Sequence, residues 1–135
     1  MKLQRSTRCA LFAVFELARE PGRHVSAAEI ADTYGLSVNH LAKVLRELAR
    51  ARFIQSVRGA GGGYTLAANP KRMTLYDIVS RFEELGDDDG APPEPGADTD
   101  AGQALTRVLT EIDAITVATL KSISLTTFLK LSRKA

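Results

Sequence analysis

The sequence predicts a mainly α protein that carries one small β-hairpin, and three observations lead to that expectation. Two short apolar-periodic segments open on the helix-start serines Ser26 and Ser37, and Gly35 lies between them. Phe53–Val57 then alternates as a strand, runs into Gly59–Gly63 with four glycines in five positions, and resumes as Tyr64–Leu66. Near the end, Leu105, Val108, Leu109, Ile112, Ile115 and Leu120 recur at helical spacing over residues 103–121. Helix, turn, helix and hairpin in direct succession define a winged helix-turn-helix, here followed by a long C-terminal helix.

Each element can be justified in order. Residues 5–19 read as a first helix, with Ala10, Leu11, Val14, Leu17 and Ala18 on an inward face and Arg5 and Arg8 outside near its start. Glu20-Pro21-Gly22 breaks it, and His24-Val25 reads as a short extended link. Ser26-Ala-Ala-Glu29 has capping-box spacing, so the next helix begins there and sends Ile30 and Ala31 to the core. Tyr34-Gly35-Leu36 ends it, because glycine accepts the left-handed backbone that a tight turn between angled helices demands. Ser37 caps the following helix. There Leu41, Val44, Leu45 and Leu48 make one buried stripe, leaving Val38, Asn39, His40, Lys43, Arg46 and Arg50 facing out.

Beyond the hairpin, Ala67–Arg72 is a loop, and Thr74-Leu-Tyr-Asp77 starts a helix with Leu75, Ile78, Val79 and Phe82 on its apolar side. Residues 84–100 hold seven Asp or Glu and three prolines with hardly any bulky apolar side chain, so residues 86–102 are expected to be a flexible acidic loop. The helix over 103–121 would be about 28 Å long. Ser122 to Thr127 suggests a break before a last short helix through Leu131. The expected divisions are therefore a winged domain at 1–85, a loop at 86–102, and a helix and tail at 103–135.

Composition narrows the function. In 135 residues with 44% hydrophobic content there is room for one core and an extension, not for a separate catalytic domain. No apolar run approaches the ~18 residues of a membrane span and no signal-like start is evident, so a cytoplasmic protein is expected. One cysteine fits a reducing compartment. The net charge of +2 hides an asymmetry: residues 1–72 hold 12 Lys or Arg against 5 Asp or Glu, whereas residues 73–135 hold 6 against 11. A basic half fits a module that meets phosphate. The glycine run leads from strand to strand, where a nucleotide phosphate loop leads from strand to helix and supplies a lysine and a hydroxyl. No nucleophile-base pair, carboxylate pair or metal cluster can be located, so neither an enzyme nor a cofactor is expected, and His24 and His40 are too few for a metal site.

A helix with polar and basic residues at its exposed start suits the major groove of double-stranded DNA. The candidate contacts are Ser37, Val38, Asn39, His40, Lys43 and Arg46 in that groove. Arg58 would enter the minor groove, and the bare amides of Gly59, Gly61 and Gly62 would pass close to phosphate. Arg5 and Arg8 are candidate phosphate contacts, and Ser26 and Tyr64 complete the set. The rival reading is a protein-interaction adaptor that uses the same fold without DNA.

Met1-Lys2-Leu3, Ala28-Glu-Ile-Ala31, Gly35-Leu-Ser37 and above all Val57-Arg-Gly-Ala-Gly-Gly-Gly-Tyr64 resemble the Rrf2 family of bacterial winged-helix transcription regulators, IscR- and NsrR-like. The likeness runs from residue 1 to about 85, with a looser match in the C-terminal helix. It implies a homodimer on a palindromic operator, paired through the long helix by Leu105, Val108, Leu109, Ile112, Ile115 and Leu120, with Ser37–Lys43 reading bases and Arg58 in the minor groove. Repression by steric exclusion of polymerase follows from such binding. The alternative for the long helix is to fold back over its own domain. The cluster-binding branch of the family carries three cysteines between the domain-closing helix and the dimer helix. Here Pro92, Glu94, Asp98 and Asp100 occupy that stretch, with Ala91, Ala97, Ala101 and Ala104, and hard carboxylates replace soft sulfur poorly. No cluster is expected. Cys9, the one thiol, is either a redox-active group lowered in pKa by Arg8 or a small buried hydrophobe.

Overall fold

The computed structural model describes residues 1–59, 62–85 and 92–132. At its centre is α1 (Arg5–Arg19), eight of whose 15 residues are buried, among them Thr7, Cys9, Ala10, Ala13 and Ala18. Side chains this small let neighbouring backbones approach closely. Against α1 pack α2 (Ala27–Tyr34), α3 (Val38–Arg50), the short α4 (Leu75–Val79) and α6 (Leu125–Leu131). Between α3 and α4 the chain forms an antiparallel hairpin of β1 (Ile54–Val57) and β2 (Gly63–Leu66), in register Ile54 with Leu66 through Val57 with Gly63. The long α5 (Asp100–Ser122) precedes α6.

The extended link expected at His24-Val25 has a partner. Val25 N–H donates to the Tyr64 carbonyl at 2.9 Å and Tyr64 N–H donates back at 2.8 Å, so the residue before α2 is paired with the inner strand of the hairpin. Gly35 takes the left-handed conformation at φ 65° and ψ 37° that the α2–α3 turn requires. Ser26 and Ser37 both cap as expected, accepting from Glu29 N and His40 N. The capping box at Ser26 is only half made, because the Glu29 carboxylate takes Arg23 Nη2 at 2.9 Å instead of reaching back. A reciprocal box forms at α4, where Thr74 accepts from Asp77 N and Asp77 accepts from Thr74 N.

In the C-terminal region two expectations are corrected and one is met. First, α5 begins at Asp100, three residues before position 103, because Thr99 Oγ1 accepts from Gly102 N at 3.0 Å and starts the helix there. Of the expected loop, residues 86–91 lie outside the described residues, while the part before the helix holds hydrogen-bonded turns, Ala97 N–H to Glu94 O at 3.1 Å and Thr99 N–H to Gly96 O at 3.0 Å. Second, the last short helix expected through Leu131 is present as α6, and it is packed on the core. Leu125 is fully buried in the same core as α1, its N–H donates to Met73 O at 2.8 Å, and Phe128 meets Phe15 edge-on at 5.3 Å. Third, Leu120 leaves the outward stripe and packs partly buried against this core. Among the described residues no helix is long and apolar enough to cross a membrane.

One clasp joins residues 76 positions apart. Gln4 provides no side-chain cap for α1, and Glu83, just past α4, substitutes for it: Glu83 Oε2 accepts from Gln4 N at 3.1 Å and from the hydroxyl of Thr7. Thr7 is wholly buried, so losing that acceptor strands a polar group in the core. Glu83→Ala should therefore destabilise the fold by about 1–3 kcal/mol in urea unfolding, with an unchanged slope; an unchanged midpoint would contradict the clasp.

Candidate nucleic-acid interface

The reader is set by the contrast between the two sides of α3. Leu41, Val44, Leu45 and Leu48 are buried, anchoring it on α1 and α2. Val38, Asn39, Lys43 and Arg46 are exposed, and the last three follow one another at helical spacing along the opposite side. Ser37 is exposed, with Oγ accepting from His40 N at 3.3 Å. Val38, a half-exposed apolar side chain at the start of a helix otherwise polar on this face, can meet a thymine methyl. Neither Lys43 nor Arg46 is in an ion pair among the described residues, whereas Arg50 at the far end is held by Glu47 at 3.5 Å.

His40 departs from expectation. It is partly enclosed, and its Nε2 is buried without a hydrogen-bond partner among the described residues. It stands beside Leu41 and one turn before Val44, on the border of the apolar stripe, so periodicity alone assigned it to the wrong side.

In the wing, Arg58 is exposed where β1 ends, and the chain turns through Gly59 at φ 108° with Gly62 N–H donating to Gly59 O at 2.9 Å. A Cβ on Gly62 would lie 2.4 Å from the Val57 carbonyl oxygen, so this turn accepts no side chain there. Gly61 lies outside the described residues. Tyr64 is partly buried with its backbone shared between Ser56 and Val25, which fixes the root of the wing. Ser26 is partly buried too, and its Oγ already serves Glu29 N at 3.1 Å, so it holds α2 before it can hold anything else. Arg5 and Arg8 are both exposed on the first turn of α1, Arg8 lying over the Phe12 ring at 5.5 Å.

Two positioning features escaped the sequence reading. A Cβ on Gly63 would come within 2.6 Å of the Val25 carbonyl oxygen, so this glycine is what lets the hairpin close on the strand before α2. Tyr34, at the end of α2, donates its hydroxyl to Glu16 Oε1 at 2.6 Å and stacks on Phe12 at 4.5 Å. Burial, then the Glu16 carboxylate it bonds, push the Tyr34 hydroxyl pKa far up, so it stays a donor at any ordinary pH. Neither partner is near in sequence, and no local pattern marks them.

The redox alternative for Cys9 is corrected. The thiol is fully buried, and burial raises its pKa, the opposite of what an oxidant-sensing thiolate needs. Nor do the donors present fit an iron–sulfur centre: the chain holds one cysteine, that one, and no group of three or more His, Cys, Asp or Glu is assembled among the described residues.

This is a winged helix-turn-helix reader of the kind found in transcription regulators. The sequence matches the family described as Rrf2, iron-dependent transcriptional regulator, over residues 3–130, and the chain belongs to that family. It is 55% identical over 130 residues to BadM, an HTH-type transcriptional regulator of Rhodopseudomonas palustris, covering 96% of this chain and 82% of the relative. Among solved structures, CymR, the global cysteine regulator of B. subtilis, superposes with a TM-score of 0.79 at 26% identity, covering 97% of this chain and 98% of the other. IscR of T. potens superposes with a TM-score of 0.68 at 27% identity, covering 99% and 90%. The protein is thus a DNA-binding transcription regulator and not an enzyme.

Two outcomes follow from the local geometry. Maleimide should leave Cys9 unmodified in the native protein at pH 7 to 8 and label it fully in denaturant; fast native labelling would show the thiol to be open. Gly63→Ala should lower the thermal midpoint by several degrees, roughly what a 1–3 kcal/mol overpacking cost gives, because the new methyl meets backbone that cannot rotate away.

Proposed function

We propose that the chain acts as a homodimer that represses transcription in the cytoplasm by occupying an inverted-repeat operator and excluding polymerase. Ser37, Val38, Asn39, Lys43 and Arg46 read the major groove, Arg58 enters the minor groove, and Gly59 and Gly62 keep the wing turn thin enough for its amides to approach phosphate. Arg5 and Arg8 bind the backbone. His40 contributes by shaping the helix border, with its Nε2 available only if the ring moves on binding.

The observation that carries the dimer is the outer face of α5. Leu105, Val108, Leu109, Ile112 and Ile115 are each 50–59% exposed, and α5 has no buried residue at all. Together they form one stripe about 15 Å long. Apolar side chains repeated so regularly on an exposed helix face cost free energy in water, and burial against a like stripe removes that cost. A second copy supplies that stripe, and two-fold pairing places two readers on successive turns of one DNA face, about 34 Å apart.

In solution the chain should run at twice 14.6 kDa at micromolar concentration, and Ile112→Asp should bring it down to the single mass without unfolding it. Arg58→Ala should weaken operator binding roughly tenfold or more while leaving the thermal midpoint in place. A monomeric native protein would overturn the pairing; operator affinity indifferent to Arg58 would overturn the wing's role.

A further inference from the structure

At the base of the hairpin, opposite its tip, the surface is pitted. Phe53, Ala68, Asn69, Arg72, Met73 and Asp77 line a depression of about 260 Å³. The Phe53 carbonyl accepts from both Ala67 N at 2.9 Å and Ala68 N at 3.3 Å, so the backbone here is satisfied and the pit presents side chains. Met73 is buried against the core, and Phe53 is partly buried with the Arg81 guanidinium over its ring at 5.9 Å. Arg72 and Arg81 are both exposed. Asp77, the one acid on the rim, has its carboxylate committed to Thr74 N at 2.9 Å.

Arg19 is answered by Glu16 at 3.1 Å, Arg23 by Glu20 and Glu29 and Arg50 by Glu47, whereas Arg46 on α3 and Arg58 on the wing are in no ion pair among the described residues. The same holds at the pit: among the described residues neither Arg72 nor Arg81 is in an ion pair, and exposed Lys71 precedes Arg72 while exposed Arg52 precedes Phe53. Arg52 also holds a left-handed backbone, φ 66°, where glycine is the unstrained choice. Four strand pairs separate the pit from the wing tip, about 10 Å of hairpin. The cations are thus at the end of the wing away from Arg58.

We propose that this pit is a docking site for an acidic peptide segment of a partner protein, which seats one aliphatic side chain on Phe53 and Met73 and offers carboxylates to Arg72 and Arg81. The volume falls just under the range of about 300–1,000 Å³ typical of small-molecule sites, which suits a single anchoring side chain. Guanidinium forks held beside an apolar floor match carboxylates in two-pronged fashion and gain strength from the partly dry surroundings. Recognition of acidic motifs by clustered arginines is a recurring mode of peptide binding.

The test uses the full-length protein and a fluorescein-labelled peptide, Asp-Glu-Asp-Leu-Asp-Glu-Asp, with a Leu-to-Ser peptide and a hepta-glutamate as controls. Anisotropy should show saturable binding of the leucine peptide that weakens about tenfold with Arg72→Ala, with Arg81→Ala and with the serine peptide. Operator affinity and its salt slope should be unchanged in both variants. Equal binding of hepta-glutamate, or indifference to both substitutions, would overturn the site. So would a fall in operator affinity with a shallower salt slope, since Arg72 or Arg81 would then be a phosphate contact. Binding that appears only when Glu84, Asp87, Asp88, Asp89 and Glu94 are changed to Asn or Gln would assign the pit to this chain's own acidic stretch and likewise displace the proposal.

Discussion

The close approach of neighbours to α1 is the constraint on which the rest depends. Thr7, Cys9, Ala10, Ala13, Val14 and Ala18 supply little volume, and that is what allows α3, α4 and α6 to sit against one helix at once. A single enlarged side chain there would force several elements apart together, because packed interiors have no spare space to absorb it. The same constraint explains the lone cysteine: at Cys9 a small apolar group is required, and the buried thiol supplies that bulk while its raised pKa keeps it inert.

From α1 the reader and the wing are located by two different means. Packing fixes α3, through its buried leucines. Hydrogen bonds fix the hairpin, through the Val25–Tyr64 pair, and Gly63 makes that pairing sterically admissible. Because Val25 directly precedes the Ser26 cap, the root of the wing and the start of α2 are one continuous piece of backbone. The proposed reader and wing are therefore held at a fixed spacing before any DNA arrives, and on that reading less ordering entropy is lost on binding.

How far this was legible depended on the range of the interaction. Ser37 and Gly35, and the stripe of Leu41, Val44, Leu45 and Leu48, were readable because caps, left-handed turns and helical periodicity act within one or two turns of chain. The starts of α1 and α5 show the limit. Thr99 caps α5 earlier than the apolar pattern begins, since a cap needs only its own hydroxyl, while α1 relies on Glu83, whose distance along the chain no local rule spans. His40 failed for a related reason: at the edge of a stripe, whether a ring tucks in or out is decided by neighbours in space. Leu120 was assigned to the outward stripe, and Leu125 to the break before the last helix, because the apolar pattern carries no marker of where the partner changes from another surface to the chain's own core.

That change of partner along α5 has a mechanical consequence. Its last turns are anchored: Leu120 packs on the core, Lys121 lies 4.7 Å from the centre of the Tyr76 ring, and the Ile123 carbonyl accepts from Leu75 N at 2.9 Å. The exposed stripe begins one helical turn or so before this anchor and runs toward the N-terminal end. A helix fixed at one end behaves as a stiff arm over this length, since bending it would break its own hydrogen bonds. On the proposed pairing, the register of the two stripes would then be transmitted to the two readers with little slack: a slip of one turn, about 5.4 Å along the arm, would shift their separation by a comparable distance, between one and two base pairs' worth of rise. Anything that altered how the stripes meet would change the fit to an inverted repeat without touching a single base-contacting residue.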